Sequence, residues 1–295
     1  MRSRRSHDSE PPLYLVTGGA GFIGSHLAET LAISGQRVRV FDDFSTGKRD
    51  NLASAAPSVE VLEGDVADLD ACRAACEGVD YVLHHAARVS VVESLEDPFL
   101  YHRVNALGTL NMLWAAREAQ CTRFVYPGSA SAYGNPPELP HREDMAPQPL
   151  SPYAVAKHAG ELHCRAFYDA YGLETVVLRY FNVFGPRQDA GSPYSGVIAR
   201  FLHGLLSGDG ITIFGDGEQS RDFVPVENVV AANLLACTAP EAAGRIINIG
   251  CGEGVTINRL VEILTDLTGA AAHVAHRPAR VGEVRHSVAD IRRAK

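Results

Sequence analysis

The sequence has 295 residues, of which 46% are hydrophobic and 21% charged, and its formal net charge at pH 7 is -8. These values are ordinary for a globular protein with an ample core. They argue against nucleic acid as a partner, because the few arginines near each end form no long basic block. No run of about 18 apolar residues occurs, so we expect no membrane span. The length favours one large α/β domain that carries a smaller lobe.

The N-terminal residues and the cysteines indicate the compartment. Residues 1–12 are polar and lack the apolar segment of a secretory signal, so we expect a disordered tail that ends where the first strand begins. The six cysteines form no C-x-x-C pair, and the twelve histidines lack the paired spacing of zinc ligands. We therefore expect free thiols, no metal site and a cytoplasmic protein.

Strands and helices alternate along the first 181 residues. The predicted strands cover residues 13–17, 37–41, 59–62, 81–84, 123–126 and 175–179. The predicted helices cover residues 21–34, 69–76, 98–119 and 153–171. Short loops join these elements, which predicts right-handed crossovers and a parallel, doubly wound sheet of the Rossmann type.

The regular alternation of strands and helices ends after residue 181, where prolines and glycines mark loops between short helices and isolated strands. One strand is predicted at 211–214, and the run within 245–250 is expected to return to the main sheet with part of 222–240. We therefore predict a Rossmann domain over 13–181 and a smaller, interleaved lobe over 182–295.

Glycines follow the first predicted strand and open the first helix. Gly18, Gly21 and Gly24 form a G-x-x-G-x-x-G motif that includes Phe22 and Ile23. Glycines there allow a tight turn and a close approach to a pyrophosphate, which the helix N-terminus then binds. This context predicts a dinucleotide site.

Acidic residues end the next two strands. Asp42 stands about 20 residues after the glycines, where a carboxylate binds the ribose diol and favours NAD over NADP. Asp65, followed by Val66, is a candidate for contact with the adenine. A turn or a helix N-cap explains Asp65 equally well.

A tyrosine and a lysine stand four residues apart on a predicted helix. Tyr153 and Lys157 therefore share one face of that helix. An ammonium stabilises a phenolate, so we expect Lys157 to lower the pKa of Tyr153 from its usual value near ~10. Ser129 follows a predicted strand, at the sheet edge where α/β proteins place their chemistry. A surface Tyr/Lys pair is the alternative interpretation.

Together these residues resemble the extended short-chain dehydrogenase/reductase family, and within it the NAD-dependent nucleotide-sugar epimerase/dehydratase group. The resemblance covers residues 13–290 and includes, besides the glycine motif, the segments 42–47, 84–87, 129–134, 179–182 and 220–223, Asn105 with Gly108 and Thr109, and Tyr153 with Lys157. It implies a catalytic Ser129, Tyr153 and Lys157. It also implies that Ala86, Lys157 and Tyr180 line the nicotinamide half of NAD.

The reaction implied by the resemblance passes through a 4-keto sugar. Tyr153 takes the proton of the sugar 4-hydroxyl, Ser129 hydrogen-bonds the reacting oxygen, and NAD accepts the hydride from C4. Return of the hydride to the other face gives the 4-epimer. Family dehydratases carry Thr-Asp-Glu at the catalytic hydroxyl and decarboxylases a glutamate, whereas Ala130 and Ser131 follow Ser129. We therefore expect a 4-epimerase of UDP-hexoses.

Other activities stay open on the sequence alone. A UDP-glucuronate 4-epimerase, a 4,6-dehydratase and a 4-reductase are the enzymatic alternatives, and a non-catalytic NAD-binding scaffold is a further one. A reductase would change the absorbance at 340 nm with substrate, which an epimerase would not.

The resemblance also implies the residues that hold the UDP-sugar. Asn182, Arg221 and Arg280 match positions at the diphosphate and uracil, and Glu283 matches one at the uridine ribose. An ion pair of Arg221 with Asp222 or Glu218 is the structural alternative. Ser287 matches a position beside the sugar C2 substituent, where a small residue favours UDP-GlcNAc/UDP-GalNAc alongside UDP-glucose/UDP-galactose.

The family also gives expectations for assembly and for the C-terminus. Helices 98–119 and 153–171 match those that form the dimer interface of family members, so we expect a homodimer. Family members usually continue with about one or two helices beyond the position of Lys295. The resemblance therefore leaves open that the C-terminus is truncated.

Overall fold

A computed structural model of the chain describes residues 10–55, 58–189, 196–279 and 284–295. The strands are β1 Leu13–Thr17, β2 Arg37–Asp42, β3 Val59–Glu63, β4 Tyr81–His84, β5 Arg123–Ser129, β6 Glu174–Tyr180, β7 Asn182–Phe184, β8 Ile211–Phe214, β9 Ser220–Arg221, β10 Phe223–Pro225, β11 Ile246–Ile249, β12 Val255–Thr256, β13 Val274–Arg277 and β14 His286–Ser287. The helices are α1 Phe22–Ile33, α2 Leu69–Cys76, α3 Val91–Glu96, α4 Pro98–Tyr101, α5 Gly108–Glu118, α6 Pro152–Tyr171, α7 Val197–Ser207, α8 Val226–Thr238 and α9 Ile257–Thr268. Residues 1–9 of the predicted disordered tail lie outside the described residues.

The centre of the fold is a seven-stranded parallel sheet in the order β11-β6-β5-β4-β1-β2-β3. Its central strand β1 is an apolar run in which every residue is buried, because helices cover both faces of the sheet. The strand order reverses between β1 and β4, so the helices that follow these strands leave on opposite faces. A crevice opens there at the carboxyl ends of the strands, where doubly wound sheets bind their ligands. The predicted Rossmann architecture is confirmed.

Two helical layers cover the sheet. Helices α1 and α8 pack together on one face, where Leu27, Leu31 and Val229 belong to one apolar cluster. Helices α2, α5 and α6 cover the other face through a second cluster that includes Met112 and Phe167. The two layers shield the strands from water and hold the crevice between them.

The predicted helix over 98–119 is divided in the structure. Helix α4 is followed by a π-helical segment, His102–Leu107, before α5 begins. The segment places Asn105 in the interior, where its side chain bonds the backbone N–H and C=O of Arg88 at 2.8 Å each. π-Helical turns commonly occur at functional sites. This one fixes the loop after β4, which borders the crevice.

The smaller lobe has a core of its own. Helices α7 and α9 pack on each other, and their apolar faces meet β8. This core includes Phe201, Ile213 and Leu260. Strand β11 lies between lobe elements in sequence and joins β6 at the edge of the main sheet. No helix in the described parts of the chain is long and apolar enough to cross a membrane.

Candidate active site

The loop between β1 and α1 packs so closely that side chains are excluded. Gly18 has φ +64°, and a Cβ atom there would lie 2.6 Å from the nitrogen of Ala86. A Cβ atom on Gly24 would lie 2.2 Å from the Gly18 oxygen. Either side chain would have to displace backbone. The loop therefore presents bare N–H groups at the start of α1, an arrangement that fits a dinucleotide pyrophosphate.

Asp42 is the last residue of β2 and lies beside this loop. Its carboxylate accepts the N–H groups of Ala20 and Phe44, at 2.8 Å each. Burial raises the pKa of Asp42, and these two hydrogen bonds oppose that effect. A carboxylate has about four acceptor positions, so two stay available for a ribose diol.

One cavity of about 320 Å³ collects the predicted cofactor and catalytic residues. The predicted residues that line it are Gly18, Gly21, Phe22, Ile23, Gly24, Asp42, Asp65, Val66, Ala86, Ser129, Tyr153, Lys157 and Tyr180. Asp65 forms an ion pair with Arg103 at 2.8 Å and accepts the N–H of Ala67. The turn interpretation of Asp65 therefore holds alongside its place in the cavity wall.

Ser129 and Tyr153 meet in this cavity. Ser129 ends β5, which is three residues longer than predicted, and Tyr153 lies in the first turn of α6. Helix α6 begins there because the hydroxyl of Ser151 caps the N–H of Ala154. The side chains of Ser129 and Tyr153 both line the cavity. A group able to transfer a proton and a neighbouring hydroxyl thus face the same space.

The surroundings of Tyr153 affect its pKa in the opposite direction to the prediction. Burial raises the pKa of Tyr153, and the neighbouring Ser129 hydroxyl lowers it. Lys157 is not among the causes of the shift of the Tyr153 pKa, and its ammonium lies over the Tyr126 ring, 4.4 Å from its centroid. Burial lowers the pKa of Lys157 to about 8, and the carboxylate of Glu161 opposes this effect. Lys157 is therefore a buried cation whose charge depends on its neighbours.

A hydrogen-bonded group that the sequence did not reveal holds Tyr180 in the cavity wall. The Tyr180 hydroxyl accepts the amide N–H of Asn233 at 2.6 Å and lies 3.1 Å from Nε2 of His85. Burial lowers the pKa of His85 to about 3, so this imidazole is neutral. The two adjacent histidines at the end of β4 were a visible signal, whereas Asn233, in the middle of α8, gave none.

A second cavity, of about 110 Å³, lies in the smaller lobe. Asn182 and Arg221 border it, as do Arg200, Phe214 and Gln219, which the sequence did not single out. The two cavities are neighbours along the chain: Tyr180 and Phe181 line the first, and Asn182 lines the second. A ligand with a reacting end and a nucleotide end could occupy both.

Arg221 on β9 lies opposite Ser287 on β14, because the two strands pair. Arg221 donates to the carbonyls of Ser220 and Arg285. Asp222 does not serve as a simple surface partner of Arg221. Its buried carboxylate accepts backbone N–H groups of the loop after β11, at 2.7 and 2.9 Å. Arg280 and Glu283, the other predicted nucleotide contacts, lie outside the described residues.

The comparison with protein families identifies the chain. The model of the NAD dependent epimerase/dehydratase family matches residues 14–250. The chain belongs to this family. The match contains the glycine loop, Ser129, Tyr153, Lys157 and both walls of the larger cavity.

Individual relatives are similar over nearly the whole chain. The UDP-glucose 4-epimerase of Mycolicibacterium smegmatis is 39% identical over 285 residues, which cover 95% of this chain and 90% of that protein. The structure of UDP-N-acetylglucosamine 4-epimerase from Methanobrevibacter ruminantium M1, in complex with UDP-N-acetylmuramic acid, matches with a TM-score of 0.92 at 37% identity, covering 97% of this chain and 91% of that one. The structure of UDP-glucose 4-epimerase from Thermotoga maritima with UDP-glucose matches with a TM-score of 0.91 at 38% identity, covering 96% and 91%.

Proposed function

We propose that this protein is an NAD-dependent 4-epimerase of UDP-hexoses. Its substrates are UDP-glucose and UDP-galactose and, given the small Ser287, also UDP-GlcNAc and UDP-GalNAc. The observation that carries the proposal is that Ser129, Tyr153 and Lys157 line the same cavity as the glycine loop. Ala130 and Ser131, which follow Ser129, provide no acid for elimination or decarboxylation. The relatives named above support the same reaction class.

The larger cavity has the groups that NAD requires. Backbone N–H groups of the glycine loop would hold the pyrophosphate, and the Asp42 carboxylate would hold the adenosine ribose. Asp65 and Val66 would border the adenine. Ala86, Lys157 and Tyr180 would border the nicotinamide half. When bound, NAD supplies a reversible two-electron acceptor for the sugar carbon that carries the reacting hydroxyl.

The side chains of the chain carry the proton chemistry. Tyr153, as the phenolate, is positioned to take the proton of the sugar 4-hydroxyl and to return it after the 4-keto sugar has turned over. Ser129 is positioned beside it to donate its hydroxyl proton to the reacting oxygen. Lys157 contributes positive charge to a cavity with little access to water, where charge acts strongly. Because both half-reactions use the same groups, no net change of protonation is needed.

Asn182, Arg221, Arg280 and Glu283 are the residues proposed to hold the UDP moiety. Asn182 and Arg221 border the lobe cavity next to the catalytic cavity. An arginine fork suits paired phosphate oxygens, and the position of Arg221 on β9, opposite Ser287, brings nucleotide and sugar recognition together.

The proposal is tested with separate substrates. The purified protein is incubated with UDP-galactose, UDP-GalNAc or UDP-galacturonate, and the products are chromatographed for the 4-epimer. We expect conversion of the first two without a net change in absorbance at 340 nm. Tyr153→Phe should abolish turnover and leave NAD bound. An active Tyr153→Phe protein would contradict the mechanism, and conversion of UDP-galacturonate alone would assign a uronate epimerase instead.

The assembly that we propose is a homodimer. Neighbouring helices α3, α4 and α6 expose large apolar side chains, including Leu95 (63% exposed), Phe99 (85%) and Leu162 (59%). Large apolar side chains exposed on neighbouring helices support an interface there. A two-fold axis would pair the same helices of two copies.

A cytoplasmic location is also part of the proposal. All six cysteines are free thiols, five of them buried and Cys251 exposed. An exposed thiol beside buried ones is typical of a reducing compartment.

A further inference from the structure

A buried carboxylate lies beneath the catalytic groups on α6. Tyr153, Lys157 and Glu161 follow one another at four-residue intervals, so they share one face of the helix. The Glu161 side chain is 1% exposed. Arg179 donates to both of its oxygens, at 2.9 and 2.7 Å, and Nδ1 of His158 lies at 3.0 Å. Both oxygens of Glu161 are therefore engaged, although its side chain is not part of the lining of the larger cavity.

This carboxylate lies where three elements of the site meet. Arg179 is on β6, directly before Tyr180. Gly128 is on β5, directly before Ser129, and a Cβ atom there would lie 2.7 Å from Oε1 of Glu161. The absence of a side chain at Gly128 thus leaves room for the carboxylate. Through these contacts Glu161 joins α6 to the ends of β5 and β6, each of which brings a residue to the cavity.

Glu161 is the negatively charged group that faces the Lys157 ammonium among the side chains around it. The titratable groups around Lys157 are Tyr153, Glu161 and Cys164 on α6, Tyr126 on β5, His84 at the end of β4, His85 directly after it and, behind Glu161, Arg179 on β6. Burial lowers the pKa of both histidines and raises the pKa of Cys164 and of Tyr126, so these four are uncharged at neutral pH. Apart from Tyr153, which is the reacting group, Glu161 is therefore the negative group among them.

We propose that Glu161 is a positioning residue of the reaction, which holds α6 against the ends of β5 and β6 and supplies the negative charge that balances Lys157. The inference rests on the proposed epimerase function. It assigns to the Glu161–Arg179 pair a role in the pH dependence of catalysis in addition to its role in packing. Tyr153 and Ser129 remain the groups that touch substrate.

The test is the pH profile of kcat for Glu161→Gln, with UDP-galactose as substrate. We expect bound NAD and a KM within about twofold of wild type, because glutamine keeps the size of the side chain. At neutral pH kcat should fall about tenfold. The basic limb of the profile should shift to lower pH by about one unit, because Lys157 then loses its proton more easily. Asp169→Asn removes an exposed partner of Arg165 on the same helix and should leave the limb unmoved.

A double variant separates charge from packing. Glu161→Gln with Arg179→Met removes both members of the pair and replaces a buried ion pair by neutral side chains, a change that proteins often tolerate. Because the unopposed Arg179 charge is gone, the basic limb should return toward its wild-type position. This variant also gives the readout if the single variant does not fold.

Two results would overturn the inference. One is a Glu161→Gln protein whose kcat falls by the same factor at every pH, so that the basic limb of the profile stays at the wild-type pH. A purely structural role would give this result. The other is a double variant whose limb lies further from wild type than that of the single variant. A wild-type protein that converts no UDP-sugar would instead contradict the proposed function.

Discussion

Ser131 donates a hydrogen bond to Ser129, with 2.8 Å between the two Oγ atoms, and its backbone N–H donates to the same oxygen at 3.2 Å. A hydroxyl has two acceptor positions and one proton to donate. Both acceptor positions of Ser129 are thus occupied from one side. The Ser129 proton is left to point away from Ser131, into the cavity where the reacting oxygen of a substrate would lie.

Ser131→Ala should therefore slow the chemical step. The loss of one hydrogen bond of about 1 kcal/mol corresponds to roughly a fivefold decrease in kcat, because the orientation of the Ser129 proton is no longer fixed. KM for UDP-galactose and the content of bound NAD should not change. Steady-state epimerisation rates across substrate concentrations measure both parameters.

The matched control is Ser131→Thr, which keeps the hydroxyl and should retain most of the activity. If Ser131→Ala is as active as wild type, Ser129 is oriented by other contacts. If Ser131→Thr is as slow as Ser131→Ala, space rather than the hydrogen bond is decisive.

The sequence predicted those parts of the site that local pattern and topology determine. Gly18 to Gly24 could be placed because a strand, a glycine loop and a helix follow each other directly. Asp42 and Ser129 could be placed because the carboxyl ends of parallel strands share one edge of the sheet. The parallel order then brings them to one cavity although 87 positions separate their numbers.

Contacts between side chains of distant elements could not be predicted in this way. Tyr180 bonds Asn233 and His85 across 53 and 95 positions, and no periodicity relates these residues. Lys157 lies over the Tyr126 ring because α6 packs on β5 at that register, which a single helix pattern does not encode. The π-helical segment before α5 was not predicted for a related reason, because the apolar spacing there fits an α-helix nearly as well.

The apolar surface on α4 and α6 gives a prediction about assembly. Leu162→Glu places a charge on that surface and should convert the dimer to a monomer, because a charge buried in an apolar interface costs several kcal/mol. Light scattering after gel filtration gives the mass directly. Leu267→Glu, on α9, is the control: this leucine is 78% exposed in the other lobe and should leave the dimer intact.

A monomeric wild-type protein at micromolar concentration would refute the proposed dimer. A dimeric Leu162→Glu protein would instead place the interface elsewhere. Phe99→Glu then tests the part of the surface on α4 separately from the part on α6, because it places a charge on α4 alone.

Activity requires the charge of Lys157, and burying this charge should lower the free energy of unfolding. Its pKa is about 8 in the folded protein, against about 10.5 as the ordinary value. Between these values the unfolded chain binds more protons, so the free energy of unfolding rises with pH across this window through Lys157. Below pH 8 the lysine is charged in both states and the full cost, on the order of 3 kcal/mol, is present.

Lys157→Met should therefore be inactive and yet more stable than wild type at pH 7, by up to about 3 kcal/mol, with an advantage that shrinks as the pH approaches 10. Urea unfolding at pH 7 and pH 9.5 measures this difference. NAD is removed from both proteins beforehand, because bound NAD adds stability according to its own affinity. Lys48→Met, at an exposed lysine, should change stability by less than about 1 kcal/mol at either pH. A Lys157→Met protein that is less stable than wild type at pH 7 would mean that the contacts of Lys157 with Tyr126 and Glu161 outweigh the cost of burying its charge.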